Sequence, residues 1–253
     1  MNKVEDLSKI HSLYEGWDES MIWSCFQKVM GEAYADDSVK PQSVIVYVNC
    51  FAFAAGKPNE ALVAEWYHKK VDSFAIITAR DVTWNKIFEK VGKEKSRCVE
   101  RYAIKKEKDI FDTERLNTIV GQLNKEYELK TIDQNIYDQC KKYDWAVDFV
   151  QGYKTYEEYH KYGLGIVAIH NGDIVSGASS YSSYIGGIEV EVDTKEDYRH
   201  RGLATVCAAK LILECLKRNL YPSWDAQNKW SVALAEKLGY HYSHTYTAYE
   251  MWK

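Results

Sequence analysis

The stretch from Gly187 to Arg218 constrains this chain more than any other. Ile188, Val190 and Val192 alternate with Glu189, Glu191 and Asp193, the period-two pattern of a strand with one apolar and one polar face. The alternation ends after Thr194 at Lys195-Glu196-Asp197-Tyr198. From about Arg201 to Arg218 a long apolar helix is expected, with the small residues Gly202 and Ala204 among its first positions. A strand that feeds a helix through a short loop is the building unit of an α/β protein.

The flanking segments agree with that class. Leu164–His170 and Ile174–Ser183 read as strands joined at Asn171-Gly172-Asp173, a tight-hairpin signal. Tyr127–Ile132 reads as another strand, with helices near Gln134–Tyr143 and Tyr156–Tyr162. Beyond the long helix come a short strand at Pro222–Trp224, a helix from Asn228 to Leu238 stopped by Gly239, and two short strands or a hairpin from Tyr240 to Trp252. In the first half the expected order is strand (Val44–Val48), helix (to about Lys70), strand (Phe74–Ile77), helix (Asp81 cap to Val91, stopped at Gly92), strand (Cys98–Ile104). The first 40 residues read as irregular helix and turn. Lys105–Thr113 is charged and poor in packing residues, so a division between 105 and 126 is expected, giving an N-terminal α/β domain at 1–125 and a second domain at 126–253. Phe88-Glu89-Lys90-Val91-Gly92 echoes Ala235-Glu236-Lys237-Leu238-Gly239, which fits a degenerate half-copy and equally an ordinary amphipathic helix with a glycine stop.

The chemistry lies where the long helix begins. First-turn N–H groups have no intrahelical acceptor and carry the positive end of the helix dipole. Gly202 lets a phosphate come close to backbone, and Arg199 and Arg201 bring two guanidinium groups to the same end. The spacing is neither GxxxxGK[ST] nor GxGxxG. The net charge of −4 supplies no field for a nucleic-acid backbone, so anions must be held locally.

Arg199-His200-Arg201-Gly202-Leu203-Ala204 resembles the [RQ]xxGx[GA] cofactor motif of the GNAT superfamily of acetyl-CoA-dependent N-acyltransferases. Asn228-Lys229-Trp230-Ser231 followed by Glu236-Lys237-Leu238-Gly239-Tyr240 is similar to that family's NxxS…EKxGF stretch, and the element order from Tyr127 to Trp252 agrees. Gly187–Thr194 and Tyr221-Pro222-Ser223-Trp224-Asp225 look like a two-domain bacterial subfamily. The resemblance implies a GNAT fold, a mixed sheet splayed open near Thr194 and flanked by helices, in the C-terminal half. Val192, Asp193 and Thr194 would then bind the pantetheine arm of acetyl-CoA, and the N–H groups of Arg201, Gly202, Leu203, Ala204 and Thr205 its diphosphate. Asn228 and Ser231 would lie beside the same cofactor; Asn228 also reads as a plain helix cap.

Acylating an amine requires that its nitrogen lose a proton. Glu189 and Glu191 share one face of their strand and are the candidate bases, with His170, His200, His241 and His244 as weaker ones. Many family members carry a tyrosine four residues after the NxxS serine, as acid for the leaving thiolate; that position here is Ala235. The reaction implied is acetyl transfer to a primary amine on a small molecule or peptide, and the rival reading is an acyl-CoA-binding regulatory module without catalysis. The six cysteines show no zinc-ligand spacing, so no metal is expected. No apolar run of membrane-spanning length and no leader pattern occurs, so a cytoplasmic protein with no membrane or nucleic-acid partner is expected. Oligomeric state leaves no mark on the sequence.

Overall fold

The computed structural model describes residues 1–253. In chain order the strands are β1 (Asn2–Lys3), β2 (Glu32–Ala35), β3 (Ser43–Val48), β4 (Phe51–Gly56), β5 (Phe74–Ala79), β6 (Ser96–Ile104), β7 (Glu128–Thr131), β8 (Gly165–His170), β9 (Asp173–Tyr184), β10 (Gly187–Thr194), β11 (Tyr221–Ser223), β12 (Asp225–Ala226) and β13 (Tyr242–Trp252). The helices are α1 (Ser20–Phe26), α2 (Glu60–Lys70), α3 (Asn85–Gly92), α4 (Thr113–Gly121), α5 (Gln134–Cys140), α6 (Tyr156–Tyr162), α7 (Leu203–Lys217) and α8 (Lys229–Leu238). The chain divides into two compact units, Met1–Arg101 with Thr245–Lys253, and Tyr102–His244. The division therefore falls before the 105–126 stretch. Its physical reason is α4, which turns Leu116 into the core of the second unit along with Ile119 and Val120. No helix is long and apolar enough to cross a membrane.

In the first unit β1 to β5 are hydrogen-bonded in sequence order, all antiparallel except the β4–β5 pair, and Ala248–Trp252 of β13 runs antiparallel to β5. Trp66, Trp84 and Phe88 fill a core with Ile45, Ile77 and Met251. Asn59 caps α2 by accepting the Leu62 N–H. Several expectations are corrected here. The first 40 residues hold a 3-10 helix (Leu7–Tyr14), α1 and strand β2. β4 was not foreseen, because Phe51-Ala52-Phe53-Ala54-Ala55 has no β-branched residue to mark it. Helix α3 includes Gly92, and the left-handed residue that ends it is Lys93, at φ 53°. Tyr242–Trp252 is one strand, not a hairpin, since after Gly239 no turn residue interrupts it.

In the second unit a five-stranded sheet runs in the order β11-β10-β9-β8-β7. Asn171 and Gly172 both take positive φ, 51° and 88°, the backbone that a two-residue hairpin turn of matching twist requires. One face of the sheet packs on α7: Ile188, Val190 and Ala178 join Leu203, Cys207, Leu211 and Ile212 in a buried cluster. The other face carries Glu189, Glu191 and Asp193 by alternation, and Phe149 lies so close to Gly177, the residue opposite Asp193, that a Cβ there would sit 2.7 Å from its ring. Tyrosines tie this face to buried serines of β9. Tyr153 Oη donates to Ser180 Oγ at 2.8 Å, Tyr159 Oη lies 2.8 Å from Ser179 Oγ, and Ser179 Oγ donates to the Phe149 carbonyl at 2.7 Å.

Candidate active site

Strand β10 pairs in parallel with β11 only over Gly187–Glu189, where Glu189 meets Ser223. One residue further the chain has turned away, and Asp225 and Ala226 pair instead with Ala103 and Tyr102 of β6. Along Val190–Thr194 the β10 edge has no strand beside it. This is a splay of the expected kind, and backbone that would otherwise join a ladder faces the gap.

The loop that follows β10 is held to the sheet where it leaves the strand. Lys195 N–H donates to Val175 carbonyl at 3.0 Å, and Ser176 Oγ donates to Asp193 carbonyl at 3.1 Å. A short 3-10 turn spans Glu196–Tyr198, His200 takes φ 62°, and Gly202 caps α7 at φ 78°. The first helical bond runs from Val206 N–H to Gly202 carbonyl at 3.2 Å, so the N–H groups of Leu203, Ala204 and Thr205 precede it. No side chain caps them. By contrast α4, α5, α6 and α8 are capped by Asp112, Asp133, Thr155 and Asn228. A Cβ built on Gly202 meets no atom within 4 Å, so the cradle is open. A phosphate group fits such a place, with three backbone donors and no side chain in the way.

Both arginines of the loop are braced by carbonyls behind them. Arg199 Nε donates to Thr194 carbonyl at 3.2 Å, with Asp193 Oδ1 at 3.8 Å from its Nη2. Arg201 Nη2 donates to Asp197 carbonyl at 2.8 Å. Both side chains face solvent, as does His200. The structure thus brings Val192–Thr194 and Arg199–Thr205 together at one end of the sheet.

Asn228 and Ser231 have defined local roles. Asn228 Oδ1 accepts the Ser231 N–H at 3.0 Å, and Ser231 Oγ accepts from Trp224 Nε1 at 3.0 Å. Ala235 is fully buried in the cluster that contains Leu238, Trp224 and Tyr240. Tyr240 is buried too; its hydroxyl donates to Pro222 carbonyl at 2.7 Å, and burial raises its pKa well above the usual value.

Of the candidate bases, Glu189 is 4% exposed, while Glu191 is half-buried on the splayed part of the strand. The histidines are dispersed. His170 Nδ1 lies 2.9 Å from Tyr198 Oη, His241 Nδ1 is 2.7 Å from Glu107, and His244 is beside Ser243. Two groups escaped the sequence reading. Asp148, in the turn over Gly177, has its pKa raised by burial and then by the charge of Asp193. Asp193 is raised by burial, against the pull of the Thr194 N–H and of Arg199. The second group is Tyr127 with Tyr198, around Arg201. Tyr198 stands in the loop itself, three residues before Arg201, but nothing in sequence joins Tyr127 or Asp148 to it.

The family profile described as GNAT acetyltransferase matches residues 11–249. A GCN5-related N-acetyltransferase-like protein from Streptococcus suis 89/1591 is 42% identical, covers 98% of this chain and 99% of its own, and superposes with a TM-score of 0.92. The uncharacterised N-acetyltransferase YdfB of Bacillus subtilis (strain 168) is 28% identical over 233 residues, 88% of this chain and 86% of that protein. A tandem GNAT protein from the clavulanic acid biosynthesis pathway, 12% identical, shares the fold over 88% of this chain and 82% of its own with a TM-score of 0.53.

Proposed function

The chain belongs to the GNAT acetyltransferase family and is an acyl-transferring enzyme of that kind, and on that premise we propose that it moves an acetyl group from acetyl-CoA to a primary amine of a small molecule or peptide. The observation that carries the reading is the splay of β10 beside an open, uncapped helix start: a strand edge for the amides of a pantetheine arm ends at three backbone donors for a diphosphate. In this reading Val192, Asp193 and Thr194 hold the arm. Arg199, His200, Arg201, Gly202, Leu203, Ala204 and Thr205 hold the diphosphate, and Asn228 and Ser231 shape the wall beside it.

The donor supplies an acetyl thioester, an activated electrophile. The protein's part is to align the amine and take its proton. Glu191 is the first choice as base, because it lies on the splayed segment and is within reach of solvent; Glu189, deeper on the same face, is the second. Glu189, Glu191, Asp193 and the neighbouring Asp148 give that face an acidic lining suited to an ammonium ion before it is deprotonated. Localisation in the cytoplasm and the half-copy origin of the first unit stay part of this proposal.

The test has two arms. Calorimetric titration with CoA should give binding that weakens about tenfold in Arg199→Ala, the loss of one charge-assisted hydrogen bond. Thiol release from acetyl-CoA in the presence of an amine library should then find acceptors. Tight CoA binding with no acceptor above the hydrolysis background would instead favour the binding module.

A further inference from the structure

Arg201 is held from three sides. Its Nη1 donates to Tyr127 Oη at 3.2 Å, its Nη2 to Asp197 carbonyl at 2.8 Å, and its guanidinium carbon sits 4.8 Å from the centroid of the Tyr198 ring. The two rings are themselves fixed by His170 at the end of β8. Its Nδ1 is 2.9 Å from Tyr198 Oη, and its ring centroid is 5.2 Å from that of Tyr127 and 5.5 Å from that of Tyr198. Glu126 stands 3.8 Å from the other ring nitrogen. Residues from the approach to β7, the end of β8 and the loop before α7 therefore converge on one side chain.

Two properties of this arrangement point outward. Both hydrogen-bond partners of Arg201 are neutral, a phenol and a backbone carbonyl, whereas Arg199 faces the carboxylate of Asp193. The Glu126 carboxylate acts on Arg201 only through space, without a hydrogen bond, so the remaining N–H donors of Arg201 stay available to an anion. A guanidinium has five N–H donors in one plane, and two are engaged, leaving three on an exposed group. An arginine on a free stem loses much rotamer entropy when it closes on a ligand; one already held by a hydroxyl, a carbonyl and a ring face loses less.

The geometry points to Tyr127 and Tyr198 as positioning residues for the phosphorylated end of the acyl donor, acting through Arg201. This rests on the reading above, in which the Arg199–Thr205 loop takes CoA. The anion is a phosphate of the donor, either its diphosphate or its 3′-phosphate.

Affinities for CoA and dephospho-CoA by calorimetry, and for pantetheine by NMR titration, test it in Tyr127→Phe, Tyr198→Phe and Tyr198→Leu. Tyr127→Phe keeps the buried ring and removes only the hydroxyl, so its melting temperature should match the parent. It should bind CoA about three- to tenfold more weakly, the range for one lost hydrogen bond, and pantetheine equally well. Tyr198→Leu should lose about two- to fivefold for the ring face, with Tyr198→Phe, which keeps the face, closer to the parent. An equal loss on dephospho-CoA assigns the contact to the diphosphate; a loss confined to CoA assigns it to the 3′-phosphate. Parent-like CoA affinity in Tyr127→Phe and Tyr198→Leu, or an equal loss on pantetheine, overturns the proposal. The reading beneath it fails separately, if the parent protein itself does not bind CoA.

Discussion

In the proposed site Gly202 answers two demands, backbone conformation and room for a diphosphate, that one pair of substitutions can pull apart. Its φ of 78° is left-handed, a conformation in which a side chain costs about 1–2 kcal/mol. The space around it is empty, since a Cβ would meet nothing within 4 Å. Gly202→Ala therefore has no clash to relieve, and its folding penalty is the backbone strain alone. For a chain of this length that lowers the melting temperature by about 2–4 °C per kcal/mol. Gly202→Asn is the sharper perturbation, because asparagine tolerates the left-handed region and folds with a smaller penalty. Either substituent enters the space in front of the Leu203, Ala204 and Thr205 N–H groups. Losing one or two charge-assisted hydrogen bonds there, at about 1.5–3 kcal/mol each, weakens CoA at least about tenfold and up to about 10⁴-fold. Scanning fluorimetry paired with calorimetric CoA titration reads both quantities. The expected result for Gly202→Asn is a melting temperature near that of the parent and CoA binding at least about tenfold weaker. Parent-like CoA affinity in both variants, with the melting temperature lowered in Gly202→Ala, would mean that the glycine answers only to φ, and the cradle assignment would be wrong.

Other outcomes follow from the same geometry. Glu191→Gln should cut turnover by about 10²–10⁴-fold with CoA affinity intact, and Glu189→Gln less; full activity in both and in the double variant moves the proton elsewhere. Asp148 has a pKa raised by burial and by Asp193, so the folded state holds its proton more tightly than the unfolded chain does. Its contribution is then present below the ordinary aspartate value of 3.8 and is lost as pH rises through the folded value. Asp148→Asn should accordingly melt higher than the parent at pH 7 and lose that advantage on acidification below pH 4; a lower melting temperature at pH 7 contradicts the linkage. Ala235→Tyr must fit a ring beside Leu238, Trp224 and Tyr240, an overpacking that costs about 1–3 kcal/mol, so thermal stability should fall with no gain in turnover.

What the sequence revealed was local. The alternation from Ile188 to Asp193 fixes which side chains face α7, and Asn171-Gly172 specifies its hairpin by backbone conformation, so both are written within a few residues. Asn228, Asp81 and Asn59 announce helix starts for the same reason. β2 and β4, rich in alanine and without β-branched residues, become strands because neighbours pair with them. Helix α4 was hidden behind a charged stretch whose Asp112 is its cap. The splay was expected from resemblance alone, since no residue marks where β11 leaves β10. Tyr127 and Tyr198 around Arg201, and Asp148 beside Asp193, arise from distant segments meeting, and no periodicity encodes that.

With acetyl-CoA as the proposed donor, the departure at Ala235 decides how the leaving thiolate is treated. The helix position that would carry a tyrosine acid is closed, with no exposure at all, and belongs to the core. Tyr240 is no substitute: its proton is already directed at the Pro222 carbonyl, and burial raises its pKa well above the usual value, which makes it reluctant to give that proton up. A thiol of the CoA kind has a pKa near that of free cysteine, about 8.5, so near neutrality its anion is a tolerable leaving group and can take a proton from water. The demanding proton is then the one on the amine, which the proposed mechanism assigns to the carboxylates of β10. The rate should therefore rise with pH as amine and base deprotonate, and it should show no descending limb near pH 10 from a tyrosine acid. A pH–rate profile with any acceptor that the amine library returns measures this directly. A descending limb near pH 10 that disappears when one particular tyrosine is replaced by phenylalanine would identify an acid that neither Ala235 nor Tyr240 can provide, and would refute solvent protonation.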